Sequence, residues 1–116
     1  MTMPASTLGM PYAGTWDDYP ASESVFFAAV AGNHLIYSGR CILLGFWMLN
    51  TDGAAGHAVN LRDGTDASGN IITPTRAGTN ANNSLYLGPT GIKMRNGIYV
   101  EDSSGLVQGS VWLIPC

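Results

Sequence analysis

Apolar and polar residues alternate with a period of two along much of the second half of the chain. In residues 58–62, for example, Val59 and Leu61 are apolar while Asn60 and Arg62 are polar. Such alternation places successive side chains on opposite faces of a strand and is typical of a strand with one buried face. The pattern therefore predicts half-buried β-strands at residues 58–62, 84–87, 91–95 and 98–101, with a final apolar strand at 110–114.

Three apolar segments in the first half are less regular. Residues 24–31 suit either a strand or two turns of helix, because short apolar runs fit both. Residues 34–37 predict a short strand. Residues 40–51 form a nearly continuous apolar run bounded by turn residues, which suits a strand covered on both faces. One face of that strand would meet the core, so the other face needs a second cover, such as an N-terminal arm or another subunit.

The Arg-Asn-Gly segment at residues 95–97 predicts a tight turn between two of these strands. A three-residue loop pairs Met94 with Ile98 and Ile92 with Val100, so that apolar side chains share one face. A two-residue loop would instead place charged side chains on that face. Because a type I turn followed by a left-handed glycine suits these residues, we predict a β-hairpin with a glycine bulge.

Residues 1–23 differ from the rest of the chain. Three prolines interrupt any regular element there, and Tyr12, Trp16 and Tyr19 lie between them. Aromatic side chains in an irregular segment need a surface to pack on. We therefore predict an extended N-terminal arm that lies on the domain or on a neighbouring subunit, followed by one folded domain at residues 24–116. The absence of a basic residue before an apolar stretch in this segment argues against a signal peptide.

Loops rich in glycine, asparagine and threonine separate the predicted strands, notably at residues 63–70 and 77–83. Short strands spaced by such loops favour a sandwich or barrel. The expected fold class is thus all-β: an antiparallel β-sandwich, jelly-roll-like, with the extended N-terminal arm. The length of 116 residues and the apolar content of 46% are sufficient for one hydrophobic core.

Charged residues make up 11% of the chain, whereas ordinary soluble domains have roughly 25%. So few charges suit either a surface that partners cover or a neutral surface of the extracellular type. The net charge is −3, and the five basic residues form no run. We therefore expect no nucleic-acid binding and no attraction to a membrane surface, since both need concentrated positive charge.

The sequence offers little catalytic or metal-binding chemistry. His34 and His57 have no second ligand at metal spacing, and no nucleophile motif accompanies them. The loop at residues 63–70 lacks the alternating oxygen ligands and closing glutamate of a calcium site. We expect no catalytic residue, no metal and no cofactor. Cys41 begins an apolar run and is predicted to be buried, whereas Cys116 is predicted to be exposed. A disulfide between the two cysteines is left as an alternative.

From about Ile42 onwards the chain resembles small structural proteins of tailed bacteriophages, in particular capsid decoration or cement proteins. The resemblance lies in residues 60–65 (Asn-Leu-Arg-Asp-Gly-Thr), residues 91–100 (Gly-Ile-Lys-Met-Arg-Asn-Gly-Ile-Tyr-Val) and residues 109–112 (Gly-Ser-Val-Trp). It also lies in the short, low-charge sequence with its apolar final strand. Proteins of this kind are often β-sandwiches or jelly rolls that form trimers where capsomers meet. The resemblance does not cover residues 1–23.

The resemblance implies a non-enzymatic virion protein on the capsid surface, a homo-oligomer (expected to be a trimer) that binds the major capsid protein. The candidate subunit contacts are Tyr12, Trp16 and Tyr19 in the arm, and Phe46 and Trp47 in the apolar run. The alternative is a carbohydrate- or receptor-binding module of a phage tail or fibre, which would need exposed aromatic side chains around a groove. A third hypothesis is a small extracellular-type enzyme subunit or toxin, which would need a polar pocket with paired titratable groups.

Overall fold

The computed structural model describes residues 22–30, 33–88 and 90–116. The three aromatic residues of the predicted arm, Tyr12, Trp16 and Tyr19, lie outside these ranges. The described residues contain nine β-strands and no helix, so none of their elements is a helix that could cross a membrane. The strands are β1 (Glu23–Phe27), β2 (His34–Ser38), β3 (Cys41–Asn50), β4 (His57–Asp63), β5 (Asn70–Ala77), β6 (Asn82–Tyr86), β7 (Ile92–Met94), β8 (Gly97–Glu101) and β9 (Val107–Pro115).

The strands form two antiparallel sheets that pack face to face. The first has the order β1-β9-β3-β6 with β7 also paired to β3, and the second has the order β2-β8-β4-β5. Strands β6 and β7 pair with successive parts of the same edge of β3, so they act as one interrupted strand. Each sheet then has four strands, and every connection except β4–β5 changes sheet. This is the strand order of a jelly roll, which confirms the predicted fold class.

The core lies between the two sheets and is built from alternate residues of each strand. Leu43, Met48 and Val111 project inward from the first sheet, and Leu61 and Ile98 from the second. All five are almost completely buried. Burying a side chain of this size contributes about 1.5–3 kcal/mol relative to its exposure to water. The predicted alternation therefore marks the inward positions correctly.

The central strand of the first sheet, β3, contains a bulge. Its register with β9 shifts between Leu43 and Gly45, which leaves Leu44 as an extra residue. The extra residue lets Leu43 and Phe46 both face the core, although strict alternation would put them on opposite faces. The apolar run at residues 40–51 lacks clean alternation for this reason. As predicted, one face of the strand meets the core.

The predicted hairpin at residues 95–97 is wrong. Strand β7 pairs with β3 of the first sheet, whereas β8 pairs with β2 and β4 of the second. The chain therefore crosses between the sheets at residues 95–96. Met94 and Ile98 are both buried, as predicted, but they enter the core from opposite sheets. A hairpin and a crossover both direct the apolar side chains inward, so alternation does not distinguish them.

Two further elements depart from the sequence pattern. The ambiguous segment at residues 24–31 is a strand, and β1 ends at Phe27. The pattern does not predict β5, which contains Pro74. Proline cannot donate a hydrogen bond to a neighbouring strand, and it is tolerated here because β5 lies at the edge of its sheet.

The crossover between β7 and β8 is held by close polar contacts. The carboxylate of Asp63 accepts hydrogen bonds from the backbone N–H groups of Arg95 (3.0 Å) and Asn96 (2.8 Å). Gly97 follows at φ 145°, buried against the backbone of β2. A Cβ atom at this position would overlap the carbonyl oxygen of Tyr37. Only glycine fits the end of this crossover.

We expect Gly97→Ala to lower the free energy of unfolding by about 3 kcal/mol or more, because it adds both backbone strain and a steric overlap. The matched control is Gly88→Ala, since Gly88 also has a positive φ (74°) but no atom lies within 4 Å of its added Cβ. That control should cost only about 1–2 kcal/mol. Urea unfolding of both variants checks the difference, and equal losses would contradict the described crossover.

Candidate functional site

The outer face of the first sheet is mainly apolar and aromatic. Strand pairing places Trp47 beside Ser110 and Ser84 in one row, and Trp112 beside Gly45 and Ser24 in the next. The same alternation brings the remaining outward side chains to this surface. We call it the aromatic face, and its apolar members are Phe26, Ile42, Trp47, Leu49, Tyr86, Trp112 and Ile114.

Gly45 makes room for the indole ring of Trp112. The two residues are paired across β3 and β9, and Tyr86 is paired with Gly45 on its other side. A Cβ atom at Gly45 would lie 3.2 Å from Cε3 of Trp112 and would overlap the backbone of Leu85. The missing side chain therefore lets the indole ring lie close against the sheet between the two neighbouring strands.

Several side chains of the aromatic face remain open to solvent. Tyr86 is 74% exposed and Phe26 is 59% exposed, while Trp47 and Trp112 are half-buried. The only charged side chain that strand pairing assigns to this face is Lys93, next to Ile42 at one corner. Exposed aromatic side chains among small uncharged polar ones, with charge only at the rim, are typical of an interaction site.

The size of the aromatic face suits one protein–protein contact. Its longest strands, β3 and β9, have 10 and 9 residues. Four strands about 4.8 Å apart and roughly 30 Å long give a projected area on the order of 600 Å². A standard-size interface buries roughly 800 Å² on each partner. The face is thus large enough to form most of one such interface.

The outer face of the second sheet is different, because it carries polar side chains that hydrogen-bond to one another. Glu101 Oε1 accepts hydrogen bonds from Asn60 Nδ2 and Arg62 Nη2, both at 3.0 Å. These bonds lower the pKa of Glu101, with Asn60 as the larger cause and Arg62 second. Arg62 Nη1 also donates to the carbonyl of Gly69 at 2.7 Å. The Nε of Arg62 is buried without a hydrogen-bond partner among the described residues, so one donor of the network stays unsatisfied.

The structure separates the two candidate contacts of the apolar run. Trp47 lies on the aromatic face, as a subunit contact requires. Phe46 points the other way and is 2% exposed in the core. This placement corrects the expectation that both residues face a partner, because Phe46 could reach one only if the sandwich opened. The candidate contacts of the arm, Tyr12, Trp16 and Tyr19, lie outside the described residues.

Sequence reasoning did not assign Phe26, Tyr86 or Trp112 to a contact surface. For Trp112 a signal exists, because Ser110, Trp112 and Ile114 alternate with the inward residues of β9. For Phe26 and Tyr86 the surface becomes visible only once their strands are paired with β9 and β3. The face is assembled from segments that are distant in sequence.

The paired titratable groups of the described residues serve the fold. His57, at the start of β4, contacts Asp52 with 2.7 Å between Nε2 and Oδ2. Asp52 also accepts a hydrogen bond from the backbone N–H of Ala54, and this bond, followed by that of His57, lowers the pKa of Asp52. The pair thus fixes the β3–β4 loop. Within the described ranges, no group of three His, Cys, Asp or Glu residues could hold a metal ion.

Two fully buried polar side chains also tie loops together. Asn50 donates to the carbonyl oxygens of Ala55 (2.9 Å) and Gly78 (3.0 Å). Asp102 accepts hydrogen bonds from the backbone N–H groups of Ser104 and Val107, both at 3.1 Å. Because these groups already have partners, they hold the ends of the sandwich and are not directed at a ligand.

The two cysteines are both free thiols. Cys41 is buried, as predicted, and burial raises its pKa to about 11, with smaller contributions from Cys116 and Asp63. Its thiol therefore stays protonated at neutral pH and is a weak nucleophile. Cys116 is exposed, as predicted.

Comparisons with known protein families, with characterised proteins and with solved structures found no match to this chain. Its function is therefore inferred from its own sequence and geometry. The aromatic face is the candidate site because it carries Tyr86 and Phe26, the two most exposed large apolar side chains of the described residues.

The Glu101 network predicts a pH-dependent stability. Because its folded pKa is lowered, Glu101 stabilises the fold above its ordinary pKa of 4.5, and this contribution is lost as pH falls through the lower folded pKa. We expect Glu101→Gln to lower Tm by about 3 °C at neutral pH. On acidification below about pH 4.5, the Tm of Glu101→Gln should fall less than the Tm of the wild type. Glu23→Gln is the control, because the side chain of Glu23 forms no hydrogen bond and no salt bridge with the described residues. If the Tm of the wild type and the Tm of Glu101→Gln fall equally on acidification, the result would contradict this role of Glu101.

Proposed function

We propose that this protein is a non-enzymatic structural protein of a phage virion, a decoration or cement protein that stabilises the capsid by bridging neighbouring subunits. The observation that carries the proposal is the aromatic face, which leaves Tyr86 and Phe26 exposed on a rigid jelly roll. The resemblance of residues 60–65 and 91–100 to such proteins gives the class of assembly. The jelly-roll fold supports the proposal only weakly, because viral capsid and lectin domains share it.

Burial of the aromatic face supplies the free energy of association. Removing about 600 Å² of mostly apolar surface from water on one partner gives a gross gain on the order of 15 kcal/mol. Part of this gain is offset by the loss of translational and rotational freedom, which costs at least about 4 kcal/mol. A favourable net contact repeated around a shell would resist separation of its subunits.

The proposed occupant of the aromatic face is another copy of the same chain, within a homotrimer. Interfaces between identical subunits are more apolar than transient ones and carry few charged residues at their centre. The centre of the aromatic face, around Trp47 and Trp112, matches this composition. The proposed partner of the trimer is the major capsid protein, on the outer surface of the shell.

A second candidate function, carbohydrate binding, is favoured by a different observation. Asn82, Ser84 and Ser110 share the aromatic face with Trp47 and Tyr86. Amide and hydroxyl groups beside an exposed aromatic ring are the groups that hydrogen-bond and stack on a sugar. This function would be that of a tail or fibre module, and it would leave the protein monomeric with the face open.

We expect the full-length protein to form a trimer that Phe26→Glu with Tyr86→Glu converts to a monomer, because two charges would be buried in the contact. The matched control is Leu35→Glu, since Leu35 is 53% exposed on the second sheet. Size-exclusion chromatography with light scattering reports the mass of each. A wild-type protein that stays monomeric at high concentration would contradict the trimer.

Binding to purified capsid shells distinguishes the two candidate functions. We expect the wild type and Leu35→Glu to co-sediment with shells and the double variant to bind more weakly, by about tenfold or more. The same proteins should show no binding on a glycan array. Glycan binding that Tyr86→Glu abolishes, without any shell binding, would favour the carbohydrate module instead.

A further inference from the structure

Basic side chains gather at one corner of the aromatic face. Arg40, Lys93 and Arg95 line a groove of about 700 Å³ together with Ile42 and Cys116. All three basic residues are exposed. They are three of the five basic residues of the whole chain, so the positive charge that is scattered in sequence is concentrated by the fold.

These three side chains have no acidic partner among the described residues. The salt bridges of the described part are His57–Asp52 and Arg62–Glu101. Asp66 accepts hydrogen bonds from Ser68 and Asp102 is buried, whereas Asp63 accepts a hydrogen bond from the backbone N–H of Arg95 and so places one negative charge beside the groove. Three basic side chains and one nearby carboxylate leave the groove with a net positive charge, and the basic side chains form no salt bridge with the described residues.

Strand pairing brings the start of β1 to the same end of the sheet. Glu23 is paired with Leu113, and the chain of β9 continues from Leu113 towards Cys116 at the groove. Because β1 is antiparallel to β9, the residues before Glu23 continue in that same direction. Arg40 lies beside Cys116, since its carbonyl accepts the hydrogen bond of the Cys116 N–H. Two strand spacings separate Glu23 from Leu43, across β1, β9 and β3, and Arg40 lies three residues before Leu43. The distance from Glu23 to Arg40 is therefore about 14 Å.

The segment before Glu23 carries the complementary charge. Residues 1–21 contain Asp17 and Asp18 and no basic residue. Asp18 precedes Glu23 by five residues, which span up to about 17 Å when extended. The acidic pair can therefore reach the groove of its own chain.

We propose that Asp17 and Asp18 dock in the basic groove of their own chain and hold the N-terminal arm across the corner of the aromatic face. Trp16 and Tyr19 flank the acidic pair, and Ile42 and Ile114 supply apolar surface beside the groove. The short tether favours this intramolecular contact, because it keeps the two charges at a high effective concentration. The inference is independent of the proposed capsid function, since it needs no partner.

Docking should protect the arm from proteolysis modestly and in a salt-dependent way, because exposed ion pairs are individually weak and are screened by salt. Chymotrypsin can report it, since the bond between Trp16 and Asp17 follows an aromatic residue and lies beside the docked pair. We expect Lys93→Glu with Arg95→Glu to raise the rate of cleavage at this bond by about five- to tenfold. Mass spectrometry of the full-length protein follows the cleavage, and a free peptide of each arm sequence corrects for its intrinsic rate.

A charge swap provides the decisive control. Asp17→Lys with Asp18→Lys should also speed cleavage, and combining these changes with Lys93→Glu and Arg95→Glu should restore the protection. Arg76→Glu, which reverses an exposed charge on β5 away from the groove, should leave the rate nearly unchanged. Circular dichroism verifies that each variant is folded.

Three results would overturn the proposal. The charge swap could fail to restore protection, or Arg76→Glu could speed cleavage as much as the groove variants do. Protection that decreases on dilution of the wild type would instead assign the groove to the arm of a second copy. Protection that is unchanged by dilution supports docking within one chain.

Discussion

The pairing of β3 with β9 is the interaction on which the rest of the structure depends. Nine pairs of residues join these two central strands, and both faces of the resulting ribbon are apolar. The inner face, with Leu43 and Val111, meets the second sheet and forms the core. The outer face carries Trp47 and Trp112, and no second sheet lies over it. A two-layer sandwich can cover one face of each sheet, so this ribbon leaves a surface for a further partner.

The first sheet carries the two most exposed large apolar side chains of the described residues, Tyr86 and Phe26, although Leu35 and Ile71 are also exposed on the second sheet. The second sheet carries the Asn60–Arg62–Glu101 network, in which Asn60 and Arg62 both donate hydrogen bonds to Glu101. Buried Asn50 and Asp102 hold the connecting loops. This asymmetry is what favours an interaction role for the first sheet over a purely structural explanation.

The sequence predicted the all-β class and most strand positions, because alternation records which side chains point inward. It did not predict which strands pair. Met94 and Ile98 point inward in a hairpin and also in a crossover between facing sheets, so the hairpin was an equally good solution of the pattern. Phe46 and Trp47 are adjacent and so lie on opposite faces, but the bulge at Leu44 reverses the alternation within β3, and the pattern therefore did not show which of the two faces the core. Pro74 concealed β5. The aromatic face and the basic groove are both invisible in sequence, since each gathers residues from distant strands.

The most direct test of the central claim is hydroxyl-radical footprinting of the full-length wild-type protein at the concentration at which it assembles. If a partner covers the aromatic face, Tyr86 and Phe26 should be oxidised much more slowly than Leu35, after correction for intrinsic reactivity, although the isolated chain exposes all three by more than half. Oxidation in proportion to the exposure of the isolated chain, fastest at Tyr86, would contradict the claim that this face is covered.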